Sequence, residues 1–419
     1  MTMTIAPKSA ARRNEKLWIA IRETGLSYAA FALEVRTTAE ASGRHDLRPD
    51  RTRVGHWVND GQVPQHPMPD ILAQTLSRLR GFVVEPEDLG LPRAPAPVAA
   101  RPRGAADVAH SFARHVTSSD LSVDDISELD IAVRELRAVY PERSPSDLWP
   151  SAMEHRQRAH ELLHHRRHTL REGRELAYQA GMLSVILAWI AHDIADHEAV
   201  AAFAADAGAH GQQADAPEVI AWAEDVLATD ALFDNRPLDA LTAATRGLAV
   251  APRKSDSAVR LAAQLGRIYA RLGNHAGFDE AAARVEALRP NLSICRSGLF
   301  RFDGAGIDSF NASAYLWLGR PHEAHDVAVA SIRQYRSMPS AGAPTRLAIA
   351  QLDLALAHAA LGNPEEAVRV GHAALSSGRL VHAIATRARH LDLDLRRRYP
   401  GLRGAGDLRE QVRAIQPVA

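Results

Sequence analysis

Apolar side chains recur at helical spacing along nearly the whole chain, whereas the alternation typical of exposed strands is almost absent. The first eighty residues carry good cap residues, such as Ser27 and Asp50, directly before apolar segments. We expect an irregular polar connection over residues 36–49. The helices predicted here are Asn14–Glu23, Tyr28–Val35, Arg51–Asn59 and Asp70–Leu79.

Beyond residue 104 a longer unit recurs, in which a turn glycine is followed by a Glu-Ala pair, as in Gly319 with Glu323-Ala324. Its glycines, Gly273, Gly319 and Gly362, lie 46 and 43 residues apart. The unit resembles the tetratricopeptide repeat, a helical hairpin with a usual period of about 34 residues. Stacked hairpins share a core, so we expect a right-handed solenoid with a curved groove.

Composition supports an all-α fold, because alanine and leucine are strong helix formers and aromatic residues make up only 5%. Residues 92–104, PRAPAPVAARPRG, are rich in proline and alanine, which is typical of a semi-extended linker. The predicted organisation is a helical head over residues 12–91, a linker over 92–104 and a repeat body over 105–419.

Charge and targeting signals narrow the class of protein. Lysine plus arginine and aspartate plus glutamate number 50 each, which argues against a chain that coats nucleic acid without specificity. Residues 1–80 hold 12 basic and 8 acidic side chains, so the head is modestly basic. The single cysteine, Cys295, excludes an intrachain disulfide and fits a reducing cytoplasm. No secretory leader is visible, and the most apolar window, residues 182–191, is shorter than the ~20 residues that span a bilayer.

The segment Arg51–Asn59 has the two faces that a DNA-reading helix requires. Val54, Trp57 and Val58 fall on one side, and the opposite side is polar. A helix-turn-helix inserts such a helix into the major groove by its N-terminal turn. The polar side carries Arg51, Thr52, His56 and Asn59.

The run RTRVGHWVNDGQVP, residues 51–64, is similar to the third-helix signature of lambda-repressor-like regulators of the xenobiotic-response-element type. Together with its repeats, the chain resembles the repressor-plus-tetratricopeptide regulators of high-GC filamentous bacteria, which influence differentiation and antibiotic production. The resemblance implies base reading by Arg51, Thr52 and His56. It implies phosphate contacts by Tyr28, Arg48 and Arg53.

These observations predict a cytoplasmic, nucleoid-associated transcription regulator that binds a double-stranded DNA operator as a homodimer. Its body would sense a peptide, a small molecule or a protein in the groove. The alternative is a protein–protein adaptor whose helical head does not bind DNA. No phosphate-binding loop or nucleophile elbow is present, so we expect neither an enzyme nor a cofactor.

Two further groups of residues have alternative interpretations. The cluster of histidines at residues 155–168 could ligate a metal, but neighbouring arginines favour a solvated helix face, and we expect no metal. Several aromatic and arginine side chains of the body could contact a ligand in the groove, although core packing explains the aromatic ones equally well. These ligand candidates are Trp189, Trp222, Tyr269, Tyr315, Arg267, Arg271 and Arg301.

Overall fold

The computed structural model describes residues 13–93, 104–292, 298–337, 344–376, 378–402 and 404–415. Within these ranges the chain forms nineteen α-helices and two short 3₁₀ helices and no β-strand, which confirms the all-α class. None of the described helices is both long and apolar enough to cross a membrane. The chain divides into two compact units, residues 1–110 and 111–419. Most of the predicted linker and Cys295 lie outside the described residues.

Four α-helices and one 3₁₀ helix build the first unit around a single apolar core. Helix α2 contacts α3 and α4, and α1 contacts α3. The largest side chains buried in this core include Leu17, Phe31, Leu72 and Leu76. The elements are α1 (Glu15–Glu23), α2 (Tyr28–Ala41), α3 (Arg51–Asn59), α4 (Met68–Arg80) and the 3₁₀ helix Pro86–Leu89.

The cap residues act as their sequence positions predict. The Ser27 hydroxyl accepts a hydrogen bond from the Ala30 amide at 3.2 Å, and the Asp50 carboxylate accepts one from the Arg53 amide at 2.8 Å. The expected end of α2 at Val35 is wrong, because the helix continues to Ala41. The extension includes Ala39, which lies fully buried in the head core.

The Asn14 side chain connects α1 with the 3₁₀ helix of the head. Its side-chain oxygen accepts from the Leu17 amide at 3.0 Å, and its amide nitrogen donates to the Leu89 carbonyl at 3.0 Å. We expect Asn14→Ala to destabilise the head by about 1–3 kcal/mol, because a helix cap and a tertiary hydrogen bond are lost together. Hydrogen exchange of the head amides measures this loss. Lys16→Ala is the control, and equal exchange in the two variants would contradict the assignment.

The second unit contains the remaining helices, most of which alternate between two layers. Their bounds are α5 (Ala105–Thr117), α6 (Val123–Val139), α7 (Pro145–His165), α8 (Leu170–Asp193), α9 (His197–Gln213), α10 (Pro217–Phe233), α11 (Pro237–Val250), α12 (Asp256–Arg271), α13 (His275–Leu288), the 3₁₀ helix Arg289–Asn291, α14 (Gly304–Trp317), α15 (Pro321–Arg336), α16 (Pro344–Ala360), α17 (Pro364–Leu375), α18 (His382–Arg398) and α19 (Ala405–Ala414). Helix α5 begins within the first unit.

Six consecutive hairpins make up most of this unit. Helices α8, α10, α12, α14, α16 and α18 each contact the next in an inner layer, and the helix that follows each one in the chain packs on its outer side. This arrangement confirms the predicted stack of helical hairpins. The turns within the first five hairpins hold a residue with positive φ, namely Ala195, Asn235, Gly273, Gly319 and Gly362. The glycine pattern therefore identified three hairpins and missed the two whose turn residue is not glycine.

The first and last hairpins of the stack meet, because α18 contacts α8. Arg379, just before α18, forms an ion pair with Asp193 of α8 at 2.7 Å and donates to the Arg143 carbonyl at 2.8 Å. Glycines allow neighbouring helices of the inner layer to approach each other closely. A Cβ on Gly181 of α8, for example, would lie 2.7 Å from Val219 of α10. The inner layer consequently surrounds a central cavity, where the sequence predicted an open groove.

Candidate functional site

The outer face of α3 is polar and accessible. Arg51, Thr52 and Arg53, in its first turn, are exposed, as is Asn59 at its end. The opposite face holds Val54, Trp57 and Val58, which are buried in the head core. Burial of that face fixes the helix on the head and leaves its N-terminal turn directed to solvent.

Two exposed arginines lie in this turn. Among the described residues, neither Arg51 nor Arg53 forms an ion pair with a carboxylate. Arg48, in the preceding segment, is exposed and donates to the His45 carbonyl at 3.3 Å. Tyr28, at the start of α2, is partly buried against the head core. The face therefore presents exposed cationic groups beside a helix N-terminus, an arrangement that favours anions.

His56 is less free than its sequence position indicates. Its Nδ1 lies 2.5 Å from a carboxylate oxygen of Asp60, one helical turn further on. Asp60 was not among the predicted site residues, although its i+4 spacing from His56 is a visible signal. The contact with Asp60 occupies Nδ1, so Nε2 is the ring nitrogen through which His56 can contact another group.

The central cavity lies within the second unit and has a volume of about 120 Å³. Every inner helix contributes to its wall. Aromatic rings and arginine side chains dominate the lining. The lining side chains that bear on its chemistry are Tyr140, Trp189, His192, Asp193, Thr229, Phe233, Arg260, Arg267, Phe302, Ser309, Phe310, Ser313, Tyr335, Thr345, Arg346, Ile349 and Arg379.

The predicted ligand contacts separate into three groups. Trp189 and Arg267 line the central cavity, and Arg267 also lines a neighbouring pocket together with the exposed Arg271. Arg301 forms an ion pair with Asp303 outside the cavity wall. The remaining three aromatics pack between helices and do not line the cavity, namely Trp222, Tyr269 and Tyr315.

Three arginines of the cavity wall were not among the predicted ligand contacts, namely Arg260, Arg346 and Arg379. Arg260 had a usable signal, because it lies seven residues before Arg267 and therefore shares its helix face. Arg346 and Arg379 had none, because their approach to the cavity depends on how the hairpins close.

Ion pairs neutralise part of the buried charge. Arg260 contacts Asp225 at 2.6 Å, and burial raises the pKa of that carboxyl even though Arg260 opposes the shift. Arg387 of α18 lies 3.3 Å from Asp353, whose pKa is likewise raised by burial. These pairs cross between inner helices and so contribute to holding the layer together.

Histidines and aspartates around the α8–α9 turn form a second polar cluster. Asp230 of α10 accepts from Nδ1 of His192 at 2.9 Å and from Nδ1 of His197 at 2.9 Å. Asp193 instead pairs with Arg379, while Asp196 caps α9 through the Ala199 amide at 3.0 Å. The sequence contains two adjacent His-Asp pairs here, His192-Asp193 and Asp196-His197. Within each pair, the histidine and the aspartate contact different partners. Across the described ranges, no group of three or more His, Cys, Asp or Glu residues is placed to hold a metal.

Protonation of His382 makes the stability of this cluster depend on pH. Burial, together with the neighbouring His192 and His197, lowers the pKa of His382 to about 4, while Asp230 opposes the shift. The unfolded chain therefore binds more protons here than the folded chain between about pH 4 and pH 6.5, so stability falls as pH falls through that window. We expect His382→Gln to lose part of this dependence in thermal melts from pH 7.5 to 4.5. An unchanged pH profile would contradict the prediction.

Residues 17–92 match the family model of the SP15 N-terminal domain. The matched segment runs from α1 to just beyond the 3₁₀ helix and thus corresponds to the helical head. No curated protein matches the chain. The class that the fold defines is therefore an all-α protein with a small helical head and a body of helical hairpins.

Proposed function

We propose that the protein is a sequence-specific DNA-binding transcription regulator, with a helix-turn-helix head of the lambda-repressor-like type. The observation that carries this proposal is the outer face of α3. That face exposes Arg51, Thr52 and Arg53 on a helix whose other side is buried in the head core. A short helix fixed in this way can enter the major groove by its first turn.

Each polar residue of the face has a role in this docking. Arg51 donates two hydrogen bonds to a guanine, the commonest specific contact, and Thr52 and His56 contact adjacent bases. Arg53, Arg48 and Tyr28 contact phosphates and set the register without reading sequence. Asn59, exposed at the end of α3, contacts the DNA at the edge of the interface.

One head has too few base-reading side chains to define a unique genomic site, so the proposed regulator binds as a homodimer. Helix α5 supports pairing, because its apolar residues Val108, Phe112 and Val116 recur every four positions and are 51%, 68% and 66% exposed. The tetratricopeptide-like body then acts as the sensor. A ligand shifts the spacing of the heads to the extent that it binds one arrangement more tightly than the other.

A protein–protein adaptor is the second candidate. The specific observation in its favour is that Phe82 and Val83, directly after α4, are 54% and 78% exposed. Exposed apolar neighbours of this kind are suited to a protein contact. In that case α3 would form part of a partner interface.

Enrichment of genomic DNA fragments by the purified full chain, repeated at several salt concentrations, separates the two candidates. The regulator recovers a motif with two half-sites, and its affinity falls steeply with salt, by a slope of about 0.9 per phosphate neutralised. An adaptor recovers no motif and shows no salt-dependent DNA binding. That second outcome would refute the proposed function and direct the search to protein partners.

A further inference from the structure

The wall of the central cavity contains more positive than negative charge. Four guanidinium groups line the cavity, those of Arg260, Arg267, Arg346 and Arg379. Asp225 neutralises Arg260 and Asp193 neutralises Arg379. Neither Arg267 nor Arg346 has a carboxylate within ion-pair distance among the described residues, so two positive charges remain without a counter-ion.

Arg267 is the more deeply buried of these two groups, with 4% of its surface exposed. One terminal nitrogen donates to the Gln264 side chain at 3.2 Å, whereas its Nε is buried and has no hydrogen-bond partner. Burial, followed by the neighbouring Arg387, lowers the pKa of Arg267 to about 9, so the group is still ionised at neutral pH. An ionised group with an unused donor is costly to bury unless something pairs with it.

Among the described residues, the partners of Arg346 are neutral. Its guanidinium donates to the Leu299 backbone carbonyl at 2.8 Å, and burial lowers its pKa. Tyr335 also lines the cavity, and its hydroxyl has no hydrogen-bond partner among the described residues. Burial raises the pKa of Tyr335 to about 12, so the hydroxyl remains a neutral donor at physiological pH. The carboxylate that lines the cavity, Asp193, is already paired with Arg379.

Much of the remaining wall is apolar. The Arg267 guanidinium lies 4.3 Å from the centre of the Phe310 ring, and Trp189, Phe233 and Ile349 add further apolar surface. The side chains of Thr229, Ser309, Ser313 and Thr345 also line the cavity. The cavity volume of about 120 Å³ is close to the ~150 Å³ that accommodates benzene in a protein interior. A ligand that fills this space combines one compact apolar body with a small planar anion.

A second pocket adjoins the central cavity. Arg267 and Phe233 line both, and the wall of the second pocket adds Arg387 and His390. Arg271 lies at the exposed side of this second pocket and does not line the central cavity.

We propose that the central cavity binds a compact organic carboxylate with an apolar body of ring size, whose carboxylate pairs with Arg267, while Arg346 and Tyr335 add a second positive charge and a hydroxyl donor to the wall. The planar guanidinium fork matches a carboxylate in two parallel hydrogen bonds, and the aromatic wall receives the apolar part. The inference concerns the body alone and holds whether or not the head binds DNA. In the proposed regulator this ligand is the effector.

Calorimetric titration of the full chain without DNA tests the site. The probes are benzoate, phenylacetate and isovalerate, each matched by its neutral amide. We expect at least one acid to bind on the order of tenfold or more tightly than its amide, because the amide cannot neutralise the buried guanidinium groups. If no acid binds better than its amide, or if added chloride alone abolishes every difference, the proposal is overturned.

Two variants of α12 provide a matched comparison. Arg267→Met removes a buried charge, whereas Arg271→Met removes an exposed one a single turn away that contacts Asn235. Arg267→Met should weaken acid binding by roughly tenfold or more and raise the melting temperature of the free protein, since a buried unpaired charge is lost. Arg271→Met should leave acid affinity within about threefold.

Tyr335→Phe keeps the proposal testable if Arg267→Met fails to fold. It removes one hydroxyl donor with little change in shape and should weaken acid binding several-fold and amide binding less, because a hydrogen bond to a charged acceptor is the stronger one. Acid affinity equal to that of the unmodified chain in both Tyr335→Phe and Arg267→Met would refute the assignment of this cavity.

Discussion

Arg51→Ala should abolish sequence-specific DNA binding while the protein remains folded. Arg51 is exposed in the first turn of α3, so its removal leaves the buried face of Val54, Trp57 and Val58 intact. A bidentate arginine–guanine contact contributes about 1–3 kcal/mol of discrimination. Two heads on one operator would therefore lose about 2–6 kcal/mol, or roughly 30-fold to 20,000-fold in affinity. Fluorescence anisotropy with the enriched operator measures this loss.

Arg53→Ala is the matched control for the base-reading role. Arg53 is also exposed, and the proposal assigns it to a phosphate. Its loss should weaken binding about equally on specific and mixed DNA and reduce the salt slope by about one for each phosphate contact removed. Arg51→Ala should instead reduce the difference between specific and mixed DNA. If Arg51→Ala leaves operator affinity unchanged, Arg51 does not read bases.

The second large effect concerns closure of the inner layer. Arg379→Ala should destabilise the body by about 3–5 kcal/mol, because it leaves Asp193 buried without its cationic partner. Arg379 and Asp193 are 5% and 6% exposed, and Arg379 also donates to Thr345 at 2.8 Å. One substitution therefore removes contacts among α8, α16 and the segment before α18. Chemical denaturation gives the free energy, and hydrogen exchange should increase most in α8 and α18.

Arg369→Ala distinguishes this effect from the general loss of an ion pair. Arg369 pairs with Glu366 on the surface of α17, and its side chain is 68% exposed. Exposed pairs of this kind contribute at most about 1 kcal/mol, since water and salt screen them. If Arg369→Ala and Arg379→Ala lower the free energy of unfolding by similar amounts, the Arg379 ion pair contributes no more to stability than an exposed pair.

Local signals in the sequence were sufficient for most of the head. Helix α3 spans Arg51–Asn59, as its cap at Asp50 and its apolar spacing predicted. Both signals act within a few residues, so they can be interpreted without knowledge of the fold. The end of α2 was misplaced, and the part of the helix beyond the predicted end includes Ala39, whose burial in the head core depends on contacts that sequence spacing does not show.

The central cavity could be predicted only in part. Arg267 and Trp189 were candidates because of their residue types, and both do line the cavity. Their significance depends on partners that sequence spacing does not reveal. Asp225, for example, neutralises Arg260 from a position 35 residues away, whereas no carboxylate among the described residues does so for Arg267.

The helical class, most helix boundaries in the head and the hairpins marked by Gly273, Gly319 and Gly362 could be predicted from the sequence. Those features depend on propensities, caps and turns that operate over short distances. Closure of the hairpins into a layer around a cavity becomes visible in three dimensions alone, because it depends on pairs such as Arg379 and Asp193, which are 186 residues apart. The three-dimensional arrangement likewise decides which buried charges remain unpaired, because pairing depends on distances in space that the order of residues does not specify.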